Sequence, residues 1–227
     1  MRRGREMEVD SFRLRAACGI LGPLTFTGAW VASSLRQAGH SMAEVQLSGL
    51  AAPDARDPGV MIAGFVVLGG CAIAFGSALD QALGGRGRAG PAPTVIRASG
   101  GAMIAAGLLR RDRMLLDPPG VALAASWHNH LHDLASMVAY GASIVGPLLL
   151  ARRFGGDADW AGLRRPLLGS VVATGAAMAL FLSPALAPWA GIAQRAMVSI
   201  PLAGMLAVAG RLLAVGAAAD RRCGATR

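Results

Sequence analysis

The sequence predicts an all-α membrane protein whose chain crosses the bilayer six times. Apolar residues make up 54% of the 227 residues and charged residues only 15%, and the mean hydropathy is +0.49. This is too little charge to cover the surface of a soluble globular protein of this length. Six apolar segments also recur along the chain, and a helix needs about 20 such residues to cross a hydrocarbon core of about 30 Å.

The predicted spans cover residues 16–35, 59–83, 94–109, 127–151, 166–182 and 192–215. A basic segment precedes the first span as in a secretory signal, but the apolar run is longer than a usual signal core and favours an uncleaved helix. The third span is short because Arg97 interrupts it and has to reach the headgroup layer. Close helix packing is predicted at glycines of the second and third spans: Gly64, Gly69, Gly70, Gly100 and Gly101.

The distribution of arginine predicts the orientation of the spans. Sixteen arginines lie in the N-terminal tail, in 84–97, in 152–165 and at the C-terminal end, and six lie in the intervening segments. By the positive-inside rule both termini are cytoplasmic. We therefore expect a basic cytoplasmic N-terminal tail (1–15), a six-helix transmembrane domain (16–215) and a cytoplasmic C-terminal tail (216–227), in the cell (inner, cytoplasmic) membrane.

The same distribution argues against a nucleic-acid partner. The formal net charge is +9, but the arginines stand in short runs between apolar segments with little aromatic interleaving. We expect membrane lipid as the partner instead. Cys18, Cys71 and Cys223 are odd in number and widely spaced in the sequence, so they indicate neither a disulfide framework nor a cysteine zinc site.

The start of the fourth span carries three of the four histidines. Ser126 is a suitable N-cap residue, and a turn of about 100° per residue places six polar side chains within one sector of the helix. They are His128, Asn129, His132, Asp133, Ser136 and Tyr140. His130 points elsewhere. Because ionisable groups at the mouth of a membrane helix are costly unless they face protein or water, the sector predicts a polar pocket on the extracytoplasmic side.

One interpretation of this pocket is a metal site. Histidines at i and i+4, here His128 and His132, can reach one zinc ion, and Asp133 can ligate the metal or orient an imidazole. A further ligand would have to come from the neighbouring loops, which offer His40, Asp112 and Asp117.

Two other interpretations are also open. In the first, the His132–Asp133 pair acts without metal as a general base or proton relay, with Ser41, Ser48 or Ser136 as the candidate nucleophile. In the second, the polar sector forms hydrogen bonds across the bundle or holds a lipid headgroup.

Arg195, near the start of the sixth span, is predicted to lie on the same side of the membrane. It could clamp an anionic group of a ligand, or it could neutralise Asp133 or Asp112 in an ion pair. The sequence favours the ion pair slightly.

Five short motifs resemble the bacterial domain-of-unknown-function 998 family of integral membrane proteins. They are Gly19-Ile20-Leu21-Gly22-Pro23, Gln46-Leu47-Ser48-Gly49-Leu50, Ala106-Gly107-Leu108 with the following Asp112, His132-Asp133, and Gly191-Ile192-Ala193-Gln194-Arg195. Their order and spacing cover the chain from Gly19 to Arg211. The family usually has an acidic residue where this chain has Gly49. The resemblance implies a multi-helix inner-membrane fold and assigns no reaction.

We therefore expect a membrane protein that binds or handles a lipid-like or small polar ligand at this pocket. The alternatives are a zinc-dependent membrane hydrolase and a proton-coupled transporter. No inverted repeat is evident and only one span has a deep polar stripe, both of which count against transport. Whether the chain is an enzyme is left open.

Overall fold

The computed structural model describes residues 2–84, 90–113 and 125–225, and this part of the chain is helical without any strand. Its six α-helices are α1 (Arg2–Arg36), α2 (Pro58–Gly84), α3 (Ala92–Leu108), α4 (Trp127–Phe154), α5 (Arg164–Phe181) and α6 (Ala190–Ala225). Short 3₁₀ helices lie at Leu47–Ala51, Ala161–Leu163 and Pro184–Trp189. The predicted all-α class is confirmed.

Four helical segments are long and apolar enough to cross a membrane: Val9–Arg36, Pro58–Gly84, Trp127–Phe154 and Pro184–Gly216. The other two helices, α3 and α5, have 17 and 18 residues. At a rise of 1.5 Å per residue they are about 26–27 Å long, slightly less than the hydrocarbon core. Both helices also carry arginine, because Arg97 lies inside α3 and Arg164 and Arg165 begin α5.

The helices form a closed ring in which each packs against the next and α6 returns to α1. Neighbouring helices run antiparallel. On the α1–α6 contact, for example, Gly216 lies against Phe12 and Gly19 against Ala209, while Arg195 lies over the ring of Trp30. One end of the ring therefore gathers the ends of α1, α3 and α5 and the beginnings of α2, α4 and α6.

The closest helix pair is α2 and α3, whose backbones meet at Gly69 and Gly100. A Cβ atom added to either glycine would overlap the carbonyl oxygen of the other, so only glycine permits this separation. Gly64 is also tightly packed, against Ala29 of α1. The prediction of close packing is confirmed for these three glycines. It is wrong for Gly70 and Gly101, which have open space where a Cβ atom would lie.

Candidate functional site

Two polar clusters lie at the end of the ring where α4 and α6 begin. The first, the Arg111 network, joins Arg111 to side chains at the start of the first 3₁₀ helix and of α4: Gln46, Ser48, Asn129 and Asp133. The second, the Arg195 cage, surrounds Arg195 with groups from the end of α1, the following loop and α6: Trp30, Ser34, His40 and the carbonyl oxygens of Met42, Val45 and Gly191.

Arg111 is the centre of the first cluster. Its Nη1 donates to Gln46 Oε1 at 2.7 Å and to Ser48 Oγ at 3.3 Å, and its Nε donates to Asn129 Oδ1 at 3.3 Å. Its Nη2 lies 3.5 Å from Asp133 Oδ1, and the Asp133 side chain is 48% exposed. Asn129 Nδ2 donates to the other oxygen of Asp133 at 3.1 Å. The network thus holds one half-exposed carboxylate beside a largely buried guanidinium.

His132 is buried and fastens α4 to the end of α3. Its side chain is 2% exposed, and Nδ1 lies 2.8 Å from the carbonyl oxygens of both Ala106 and Leu109. Two acceptors around one nitrogen require that Nδ1 carries the proton. The carbonyl oxygens that follow the last turn of α3 would otherwise lack partners, so this histidine completes a helix end.

Asp112 and Ser126 organise the start of α4. The backbone N–H of Ser126 donates to Asp112 Oδ2 at 2.7 Å, and Ser126 Oγ accepts from the backbone N–H of Asn129 as the predicted N-cap. Hydrogen bonds from Ser126 lower the pKa of Asp112. His128 is exposed and contacts Trp127 with ring centroids 3.9 Å apart and ring planes tilted by 41°, and its Nδ1 is 3.4 Å from Ser126 Oγ. His130 is exposed as well.

Arg195 is only 8% exposed. Its Nη1 donates to the carbonyl oxygens of Met42 and Val45 at 2.8 Å each and to Gly191 at 3.1 Å. Its Nη2 lies 3.3 Å from Ser34 Oγ and 3.2 Å from His40 Nε2. The expected pairing of Arg195 with Asp133 or Asp112 is wrong, because carbonyl dipoles and the face of Trp30 surround the guanidinium, and no carboxylate of the described residues contacts it.

The loop that contributes these carbonyl groups also caps α6. The backbone N–H groups of Gly191 and Ile192 donate to the carbonyl oxygen of Ala43 at 2.7 and 3.2 Å. Three loop carbonyl oxygens, those of Met42, Ala43 and Val45, would lie within 2.8 Å of a Cβ atom at position 191. Glycine is therefore required there for the loop to approach the helix.

Gln194 connects this end of the ring to its interior. Its Oε1 accepts the backbone N–H of Leu47, and its Nε2 donates to the hydroxyl of Tyr140 on α4 at 2.9 Å. Tyr140 borders a cavity of about 110 Å³ inside the ring. The cavity lies among α2, α3, α4, α5 and α6, with Phe75, Met103, Met197 and Leu202 in its wall.

The cavity is apolar in character. Two of its hydroxyl groups are already occupied, because Ser143 Oγ donates to the carbonyl oxygen of Tyr140 at 2.7 Å and Ser99 Oγ to that of Ala139 at 3.5 Å. Pro147 of α4 and Pro201 of α6 also line it. Proline removes one hydrogen bond from a helix and is a common cause of helix kinks, and both of these prolines lie beside the cavity.

A smaller void of about 10 Å³ continues from the cavity towards the polar end. It shares Met103, Tyr140 and Val198 with the cavity and is bounded by Ser48 and Ser136. Since Ser48 Oγ accepts a hydrogen bond from Arg111, the apolar interior and the Arg111 network are neighbours through this one hydroxyl group.

The structure separates the predicted site residues into two groups. Ser48 and Asp133 belong to the Arg111 network, Asp112 and His128 lie around its edge, and Ser136 borders the small void. His40 and Arg195 form the other group. The predicted zinc ligands His128, His132 and Asp133 do not converge, and the described residues contain no group of three or more His, Cys, Asp or Glu side chains that could hold a metal ion. Asp117, the further candidate ligand, lies outside the described residues.

Sequence comparison identifies the family. The model of a family described as "Protein of unknown function (DUF998)" matches residues 20–211. The chain belongs to this family. No curated protein and no solved structure matches the chain.

Four of the five motifs by which the chain resembles the DUF998 family meet at the end of the ring that carries the two polar clusters. Gln46 and Ser48 bind Arg111, and His132 binds the carbonyl oxygen of Ala106. Gln194 and Arg195 hold the loop that precedes Leu47. The fifth motif lies deeper, where Gly19 packs against Phe75 and Ala209. The motifs therefore describe one interlocked end of the ring.

Proposed function

We propose that this DUF998 protein binds a single-chain, lipid-like amphiphile, with the hydrocarbon chain in the cavity and the polar end near the Arg111 network. The single observation that carries the proposal is the neighbouring position of an apolar cavity and a polar cluster, with one small void between them that Ser48 borders. An apolar cavity of about 150 Å³ in another protein stays dry and accepts benzene. A cavity of about 110 Å³ is thus suited to part of one hydrocarbon chain.

The Arg111 network offers hydrogen-bond donors for the polar end of such a ligand. Arg111 is 18% exposed and its nearest acceptors are neutral apart from Asp133. A guanidinium in such a position can donate to a hydroxyl, carboxylate or phosphate oxygen of a lipid. No observation favours hydrolysis or transport in the same way, so ligand binding is the function that the geometry supports best.

We also propose that all six helices cross the cell membrane, with both termini in the cytoplasm and the two polar clusters on the outer side. The antiparallel ring supports this, because α3 and α5 each pack between two longer apolar helices. The excess of arginine at the opposite end supports the orientation.

In a variant lacking the native cysteines, an Ala38→Cys thiol should react with an impermeant maleimide in intact cells. An Ala158→Cys thiol should react only after permeabilisation, and the reverse pattern would refute the orientation.

Binding can be tested with purified, delipidated protein and a photoreactive fatty acid that carries a diazirine in its chain. Peptide mass spectrometry should locate the crosslink on residues around the cavity, such as Met103 and Met197. Ala142, which lines the cavity, can be replaced to fill it. We expect Ala142→Phe to reduce crosslinking at least tenfold, because the larger side chain occupies the volume that the hydrocarbon would use.

The matched control is Val138→Phe. Val138 lies one turn earlier on α4, is 50% exposed and is not part of the cavity wall. This variant should crosslink as the wild type does. Crosslinks confined to the outer, exposed faces of the helices, or equal crosslinking by the two variants, would show that the cavity binds no hydrocarbon chain.

A further inference from the structure

The contact between His40 and Arg195 exists only with a neutral histidine. His40 Nε2 lies 3.2 Å from Arg195 Nη2. A guanidinium has five N–H donors, no acceptor, and stays protonated at all accessible pH values. Nε2 must therefore accept the hydrogen bond with its lone pair, and the proton of the neutral ring is on Nδ1. Protonation of His40 would replace this hydrogen bond by a contact between two cations.

The Arg195 side chain is held in place beside His40. It is 8% exposed and is tied by Nη1 to the carbonyl oxygens of Met42 and Val45. The loop from residue 37 to 46 carries both His40 and these carbonyl groups. A movement of this loop away from α6 would separate the two cations, and it would also break the hydrogen bonds of Gly191 and Ile192 to Ala43.

Other charged groups near the loop do not offset the repulsion. Arg36 pairs with Asp57 at 3.0 Å, and Arg56 donates to the carbonyl oxygen of Arg36. Glu44 is exposed. Among the described residues none of these four side chains forms a hydrogen bond or an ion pair with His40, and the groups that contact Arg195 from α1 are the uncharged Ser34 and Trp30.

We propose that His40 and Arg195 form a proton-operated latch, in which protonation of His40 releases the 37–46 loop from the N-terminus of α6. The latch is a separate property from the proposed ligand binding and does not depend on it. Burial and the charge of Arg195 lower the pKa of His40. The open loop therefore binds the proton more tightly than the closed loop, so the latch holds above the ordinary histidine pKa of about 6.5 and weakens as the pH falls below it.

Hydrogen exchange of the Gly191 and Ile192 amides reports the latch directly. If only the open loop binds the proton, the opening equilibrium rises by the factor 1 + [H⁺]/K, which is about 30 at pH 5 for a group of pKa 6.5 and close to 1 at pH 7.5. Exchange measured by mass spectrometry in lipid nanodiscs, after correction for the intrinsic pH dependence, should thus be about 30-fold faster at pH 5.

His40→Gln is the informative variant, because its Oε1 can accept from Arg195 and does not titrate. It should keep both amides protected at both pH values, with less than about a threefold change. His130→Gln, which removes an exposed histidine at the same end, should show the full wild-type increase. A wild-type exchange rate that does not rise at pH 5, or an equal rise in His40→Gln, would overturn the latch.

A second measurement covers the case in which His40→Gln does not fold. The ring of His40 can be titrated by NMR in the wild-type protein, with its resonance assigned by elimination through variants of the other three histidines, His128, His130 and His132. The latch requires a midpoint below about 6.5. A midpoint at or above that value would show that the closed loop tolerates the proton and would exclude the device.

Discussion

Two arginines at the same end of the ring are held in opposite ways. Arg195 is 8% exposed, and its partners are carbonyl oxygens, a hydroxyl, an imidazole and an indole face. Arg111 is 18% exposed and has one carboxylate partner, Asp133, which is itself 48% exposed. The more deeply buried cation is thus the one without a counter-ion among the described residues.

This difference indicates different tasks. Backbone carbonyl oxygens can surround a cation only if the loop that carries them has one conformation, so Arg195 fixes the loop to α6. The Asp133 carboxylate is a side chain, accessible on one side, and can rearrange without moving backbone. We infer that the Arg195 cage is the rigid part of this end as long as His40 is neutral, and that the Arg111 network is the adjustable part, above the cavity.

The most severe test of this comparison is the removal of the buried cation. Arg195→Met keeps an apolar side chain of similar length but removes every donor. The carbonyl oxygens of Met42 and Val45 each lose a hydrogen bond to a charged group, at about 1.5–3 kcal/mol each. We expect a loss of roughly 3–6 kcal/mol in the free energy of unfolding, measured by titration with SDS in mixed micelles.

Arg211→Met is the control for this loss. Arg211 lies on the same helix and its side chain is 42% exposed; its Nε donates to the carbonyl oxygen of Asp159, and the carboxylate of Asp159 is 3.9 Å away. Water can replace both contacts at this exposed position. We expect it to cost less than about 1 kcal/mol. Arg195→Lys should lie between the two, because an ammonium group cannot contact both carbonyl oxygens and His40 in one plane. Equal losses for Arg195→Met and Arg211→Met would contradict the rigid role of the cage.

Hydropathy was sufficient to predict the six helices, although α1 and α6 extend beyond their predicted spans, to Arg2 and Ala225. Helical periodicity was sufficient to select the polar face of α4. The predicted span 127–151 and the observed α4, Trp127–Phe154, begin at the same residue because Ser126 is the N-cap. Periodicity also separated His130 from the polar sector. It could not determine what each side chain faces, since that depends on neighbouring helices. His132 faces the end of α3, whereas Asp133 faces Arg111.

Arg111 itself was missed as a site residue. It stands between Arg110 and Arg113 in a loop, where a run of arginines is normally explained by topology. The partners of Arg195 were predicted wrongly for a related reason. A buried arginine is usually expected to pair with a carboxylate. A loop can surround it with backbone carbonyl oxygens instead, and no side-chain pattern in the sequence marks them. The signal for this arrangement in the sequence was Gly191, four residues before Arg195. A glycine at this position permits the loop to approach the start of α6 closely.

The smallest expected effect concerns the ion pair of the adjustable cluster. A double-mutant cycle with Arg111→Gln and Asp133→Asn measures the coupling between the two charges. At 3.5 Å, with Asp133 half exposed, we expect a coupling of about 0.2–1 kcal/mol. Arg111→Gln alone should cost more than Asp133→Asn, because it also removes the hydrogen bonds to Gln46 and Ser48.

A coupling above about 3 kcal/mol would indicate a desolvated pair. Asp133 would then be fixed as firmly as the carbonyl oxygens around Arg195, and the distinction between a rigid and an adjustable cluster would be lost.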